Sequence, residues 1–226
     1  MLTRTFLAVA LSAAVAASTQ AAPKKAAGET VESVMKKVQA QQKKTQTLQA
    51  TFRQEKELAL MAKPEVSTGS FLFSKPNNVL WSYDAPKRVQ MIIAAGTLTT
   101  YYPELNKAEK IDVRRFEDRI FKYMGASGAI DELARYFNFT FIDRASEPFW
   151  ILDLSPKSRV VARRVKSIRI WIDRQKYLTT KFEYVESDGD VTRYEFKNIK
   201  LNEPVAPSRF SVAMPSTVRI EQMKIQ

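Results

Sequence analysis

The stretch that most constrains this chain is 70–86, SFLFSKPNNVLWSYDAP. Phe71 and Phe73 alternate with Ser70 and Ser74, and Val79, Trp81 and Tyr83 then alternate with Leu80 and Ser82. Between them stands Pro76-Asn77-Asn78. Proline fixes φ and asparagine tolerates turn conformations, so the pattern predicts a β-hairpin with large aromatics on one face. Such a face needs an apolar cover.

The rest of the chain supplies more of the same period. Leu48, Ala50, Phe52 and Gln54 alternate with Gln49, Thr51, Arg53 and Glu55. Further strands are predicted over 88–95, 98–102, 108–113, 149–154, 166–173, 177–186 and 192–201, with a last short one over 209–214. Gly96, Asn106-Lys107 and Ser187-Asp188-Gly189-Asp190 mark turns between them. This spacing of turn signals is that of an antiparallel sheet, sandwich or barrel.

Two segments break the period. Thr30 can cap a helix in which Val31, Val34, Met35, Val38 and later Thr45 and Leu48 fall at helical spacing. Its stripe is narrow, which suits a helix lying on a surface or across an opening. Ser127 can cap a second helix over 128–137, with Ile130, Leu133, Ala134 and Phe137 on one face, and 114–124 has helix-like spacing as well. The expected class is mainly β with helices (α+β).

Arg4, the apolar run 6–17 and the small residues before Pro23 read as a secretory signal peptide over 1–21, too short to span a membrane. A polar linker over 22–29 and one domain over 30–226 would follow. The chain has no cysteine, so it cannot carry a lipid on a cysteine after its leader, form disulfides or use thiol chemistry. It has no histidine either, which removes Ser-His-Asp catalysis, imidazole bases and histidine metal ligands. The acidic residues are scattered, as at Asp84, Glu109 and Asp153, and no cluster points to a metal or a carboxylate pair. No catalytic residue, no metal, no cofactor and no enzymatic activity are expected. The net charge is +12, one less once Arg4 leaves with the leader. Export argues against nucleic acid as partner, leaving acidic proteins or anionic lipids to benefit from this field.

The order of motifs resembles the LolA family of periplasmic outer-membrane lipoprotein carriers. Leu48-x-Ala50-x-Phe52-x-Gln54 follows the first helix, and Gly69 precedes the hairpin. Lys75-Pro76-Asn77-x-x-x-Trp81 stands where the family has Arg-Pro-Asn and a tryptophan. Tyr83-x-x-Pro86, Gly96, Leu98, Tyr101 to Pro103, Leu152-x-Leu154-x-Pro156 and Phe210-x-Val212-x-x-Pro215 continue it across most of the exported chain.

The resemblance implies an incomplete antiparallel β-barrel covered by helices, with an apolar cavity for the acyl chains of a lipoprotein. It implies an inner-membrane ABC exporter as donor, an outer-membrane acceptor, a periplasmic location and a monomer. Phe52, Phe71, Phe73, Val79, Trp81, Tyr83, Ile92, Leu133 and Phe137 are the candidate lining. Lys75 is the candidate for lid control. Its position holds an arginine in the family, which pins the lid helices through their carbonyls, and a lysine offers fewer and less rigid donors. Val79 replaces an expected aromatic. The alternative reading on the same fold is a lipid- or lipoprotein-sensing domain in envelope stress signalling or lipid transport.

Overall fold

A computed structural model describes residues 29–116 and 129–224. The signal peptide, most of the linker, Ser127 and most of the 114–124 segment lie outside the described residues. A helix, α1 (Val31–Lys44), comes first. Thr30 caps it by accepting a hydrogen bond from the Ser33 amide at 3.2 Å. Six strands follow in a meander: β1 (Thr47–Glu57), β2 (Glu65–Ser74), β3 (Asn78–Ala85), β4 (Val89–Ala94), β5 (Thr97–Tyr102) and β6 (Lys107–Asp112). Then come α2 (Ala129–Tyr136), β7 (Phe137–Ile142), β8 (Phe149–Pro156), a single-turn helix α3 (Arg159–Ala162), β9 (Val165–Asp173), β10 (Thr179–Glu186), β11 (Val191–Leu201) and β12 (Arg219–Met223).

The twelve strands of the described residues form one sheet in the order β12-β6-β5-β4-β3-β2-β1-β11-β10-β9-β8-β7. Strand β11 returns to pair antiparallel with β1, joining the two meanders, and β12 runs parallel to β6 at one edge. The sheet curls into an open, incomplete barrel. Its inner face follows from the period of two. Phe52 on β1 stands opposite Gly69 on one side and Phe196 on the other, and Phe71 stands opposite Trp81. These inward side chains and those of α1 form one main core.

Three expectations are corrected. The first helix ends at Lys44, because Leu48 already belongs to β1 and faces the core as a strand residue. The second ends at Tyr136. Phe137 opens β7, whose Phe137, Phe139 and Phe141 alternate as strand residues do. The region 209–214 is not a strand: Pro207–Phe210 is a 3-10 turn, and the closing strand lies further on, at β12.

Alternation of direction gives the sheet two ends. At the α1 end lie the β2–β3 turn, the β4–β5 turn and the β9–β10 loop. At the far end lie the β1–β2, β3–β4, β5–β6, β8–β9 and β10–β11 loops.

Candidate functional site

Helix α1 crosses the α1 end and buries Val34, Met35, Val38 and Gln42 against the inner face. Two cations hold it in place. The Lys75 ammonium, in the β2–β3 turn, donates to the Lys43 carbonyl at 2.8 Å, where the helix dipole favours positive charge. Lys37, paired with Glu29, lies 5.3 Å from the Tyr177 ring in the β9–β10 loop. The Glu29 carboxyl is accordingly held below its usual range by the Lys37 hydrogen bond.

Beneath the helix the aromatics pack densely. Phe52 lies 5.0 Å from both Trp81 and Tyr83, Phe71 4.8 Å from Trp81, and Tyr194 5.5 Å from Trp81. Phe182 and Phe196 join the cluster, near-parallel to Tyr194 and 6.3 Å from each other. Offset and edge-to-face pairs at these distances stabilise by about 0.5–1.5 kcal/mol beyond their area. Gly69 makes room for this. A Cβ there would sit 2.0 Å from the Ser82 carbonyl oxygen and 2.7 Å from the Phe52 ring. The ring therefore lies across the strand where a side chain would have been.

The Tyr83 and Tyr194 hydroxyls are 3.1 Å apart, either one serving as donor. Burial pushes Tyr83 up to about 12 and Tyr194 well above the ordinary tyrosine value. Both are neutral at any physiological pH.

On the far side of Tyr83 the inner face opens into a cleft of about 310 Å³. Tyr83, Val89, Met91 and Tyr102 supply its apolar surface, and Gln54, Lys56, Glu65 and Lys87 its polar rim. On β1, β2 and β3 this is the same face as the aromatic stack, one or two residue pairs further along, and β4 and β5 complete the cleft. The change from Phe to Gln and Lys along β1, and from Phe to Ser and Glu along β2, converts packed core into open cleft.

Of the candidate lining, Phe52, Phe71, Phe73, Val79, Trp81, Leu133 and Phe137 are buried together in the main core, with Tyr83 partly buried against it. Only Tyr83 of these also touches the cleft. Ile92 is a correction. It pairs with Leu80 and faces outward, into a second cluster with Leu72, Leu80 and Phe210 on the convex side. Its neighbours Met91 and Ile93 face inward instead, a consequence of the two-residue period. Reading β4 as a continuous apolar run hid which parity points in. Phe182, Tyr194 and Phe196 were not singled out, although Phe182-x-Tyr184 and Tyr194-x-Phe196 carry the same alternation as the hairpin.

The fold is an open β-barrel whose concave face is aromatic and covered by a helix. Residues 43–213 match the family model described as outer membrane lipoprotein carrier protein LolA. The chain belongs to the LolA family. It is 28% identical over 184 residues to an outer-membrane lipoprotein carrier protein of Methylococcus capsulatus, covering 79% of this chain and 82% of that one. A carrier protein of the same description from Pseudomonas syringae pv. syringae is 23% identical over 181 residues, covering 79% and 83%. Among solved structures, an uncharacterized conserved protein from Thermus thermophilus superposes with a TM-score of 0.55 at 8% identity, covering 85% of this chain and 98% of that one. The crystal structure of MucB superposes at 0.52 with 12% identity, over 84% of this chain and 64% of MucB. These two likenesses concern the fold.

Proposed function

We propose that this protein is a periplasmic lipoprotein carrier that shelters acyl chains against its concave face and moves them from the inner to the outer membrane. The observation that carries this reading is an extended aromatic face covered by a helix through a single apolar stripe. Val34, Met35 and Val38 contribute about 1.5–3 kcal/mol each on burial, so about 5–9 kcal/mol holds α1 down. A fatty acyl chain of about 16 carbons gains about 0.8 kcal/mol for each methylene removed from water, or about 12 kcal/mol. Cargo can therefore displace the helix, and the helix can help to expel cargo.

The cleft of about 310 Å³ is at the small end for even a drug-sized ligand, so acyl chains need the room under α1 as well. Phe52, Phe71, Phe73, Trp81 and Tyr83 then become lining once the lid lifts, and Lys75 sets how readily it does. The carrier relatives of similar length support this reading. An inner-membrane ABC exporter and an outer-membrane acceptor are the partners it requires. No catalytic role is assigned to any residue.

The test is to purify the protein from the periplasm and identify what it holds by mass spectrometry. Acylated lipoproteins are the expected cargo, and their transfer to outer-membrane vesicles the expected activity. Recovery of empty protein that also ignores a fluorescent fatty-acid probe would remove the reading.

A further inference from the structure

Leu60 is fully exposed at the tip of the β1–β2 loop, and Met61 beside it is 60% exposed. Neither side chain belongs to a core cluster among the described residues. Leu105 in the β5–β6 loop and Val160 on α3 are exposed to 70% and 73%. All four stand at the far end of the strands, where the cleft opens between Glu65, Pro86 and Lys87. Toward the α1 end, the edge-strand residue Met223 is the one exposed large apolar side chain among the described residues, and it is no loop tip.

Cations surround these tips. Lys63, Lys87 and Arg88 lie in the β1–β2 and β3–β4 loops, and Lys157, Arg159, Arg163 and Arg164 between β8 and β9, all exposed. The acids of the same five loops are fewer: Glu104, Asp188 and Asp190. The loops are also tied to one another. The Ala59 amide donates to the Asp190 carboxylate at 3.0 Å, the Ser187 hydroxyl to the Arg163 carbonyl at 2.7 Å, and the Arg88 amide to Glu104 at 3.4 Å. The tips of this rim are thus presented from two tied groups of loops, β1–β2 with β10–β11 and β8–β9, and β3–β4 with β5–β6.

We infer that this rim docks on an anionic membrane surface, with Leu60 and Met61 entering the interface and the basic loops lying over the headgroups. The tips project from three separate loops with charges between them. That arrangement suits a fluid, laterally uniform surface, whereas a folded protein partner is met by a contiguous apolar patch. The charge complements an anionic leaflet, and the cleft would face the lipid. This inference is independent of which cargo the concave face carries, and its readout needs none.

Flotation of the purified protein with phosphatidylcholine vesicles, with and without phosphatidylglycerol, tests it. Binding is expected only with phosphatidylglycerol, weakening as salt rises. The double variant Leu60→Ser, Met61→Ser should lose tenfold or more, about the partition of one buried leucine. Each of Arg163→Ser and Arg164→Ser should lose about fivefold. All four positions are exposed, so thermal melts should match the parent. No binding by the parent, or binding undiminished in these variants, overturns the inference. So does a dimer that the Leu60 variant abolishes while vesicles are ignored, which would make the rim a contact between copies of the chain.

Discussion

The two ends of the concave face are built from the same strands and behave as different materials. Toward α1, β1 presents Leu48, Ala50 and Phe52, β2 Phe71 and Phe73, and β3 Val79 and Trp81, all buried. Toward the far end the same strands present Gln54 and Lys56, Glu65 and Ser67, then Tyr83, around an open cleft. Position along a strand, with face held constant, decides between sealed and open. A carrier on this plan keeps its binding energy hidden at one end and its access at the other.

Substitution at the sealed end should show this most strongly. Trp81→Ala removes the largest fully buried side chain and should cost about 3–5 kcal/mol in urea unfolding. A cost under about 1 kcal/mol would mean the sealed half is as loosely held as the cleft. Gly69→Ala follows. Its Cβ meets backbone at Ser82 and the Phe52 ring, so about 1–3 kcal/mol should be lost, with changed near-UV circular dichroism.

The lid comes next. Lys75→Ala removes the donor to the Lys43 carbonyl and should cost about 1 kcal/mol, solvent screening a half-exposed ammonium. Lys75→Arg should raise amide protection in Val31–Lys44 and slow cargo release, since a guanidinium can reach several carbonyls at once. Unchanged exchange in both variants would show that the α1 end is sealed by apolar packing alone.

At the boundary between the halves, alkaline titration reads the Tyr83–Tyr194 pair. Folding raises Tyr83 from about 10 to about 12, so its contribution to stability is intact below pH 10 and is lost as pH climbs from 10 through 12. Tyr83→Phe should flatten that part of the profile while costing about 0.5–1.5 kcal/mol at neutral pH. A profile as steep as the parent's would place the alkaline loss elsewhere. The smallest stability effect belongs to the cleft. Val89→Ser should change stability by under about 1 kcal/mol yet weaken fatty-acid binding, measured by displacement of a fluorescent probe.

Much of this architecture was legible because aromatics and β-branched residues alternate strictly. The hairpin over 70–86 has its turn and its inward face where the alternation puts them, with Phe71 opposite Trp81 and Phe73 opposite Val79. Legibility failed where two periods compete. Phe137 fits both the helical stripe with Leu133 and the strand alternation with Phe139 and Phe141, and only pairing with β8 decides it. Ile92 failed for a related reason, since three apolar residues in a row (Met91, Ile92 and Ile93) conceal the parity. The outward cluster around Ile92 could not be foreseen either. It exists because Phe210 folds back over the convex side from a distant part of the chain. The cleft was invisible in sequence because it is a place where the apolar pattern stops.

The sheet ends in β7 on one side and β12 on the other, and among the described residues no ladder joins them. A closed barrel has a circumference set by its strand count and register, so its bore is a constant of the fold. Here the circumference is unpinned at one seam. Among the described residues no interstrand hydrogen bond ties the two margins, so strand count and register do not set the bore. A wall seamed in this way has a bore set, like a cuff's, by where its margins come to rest.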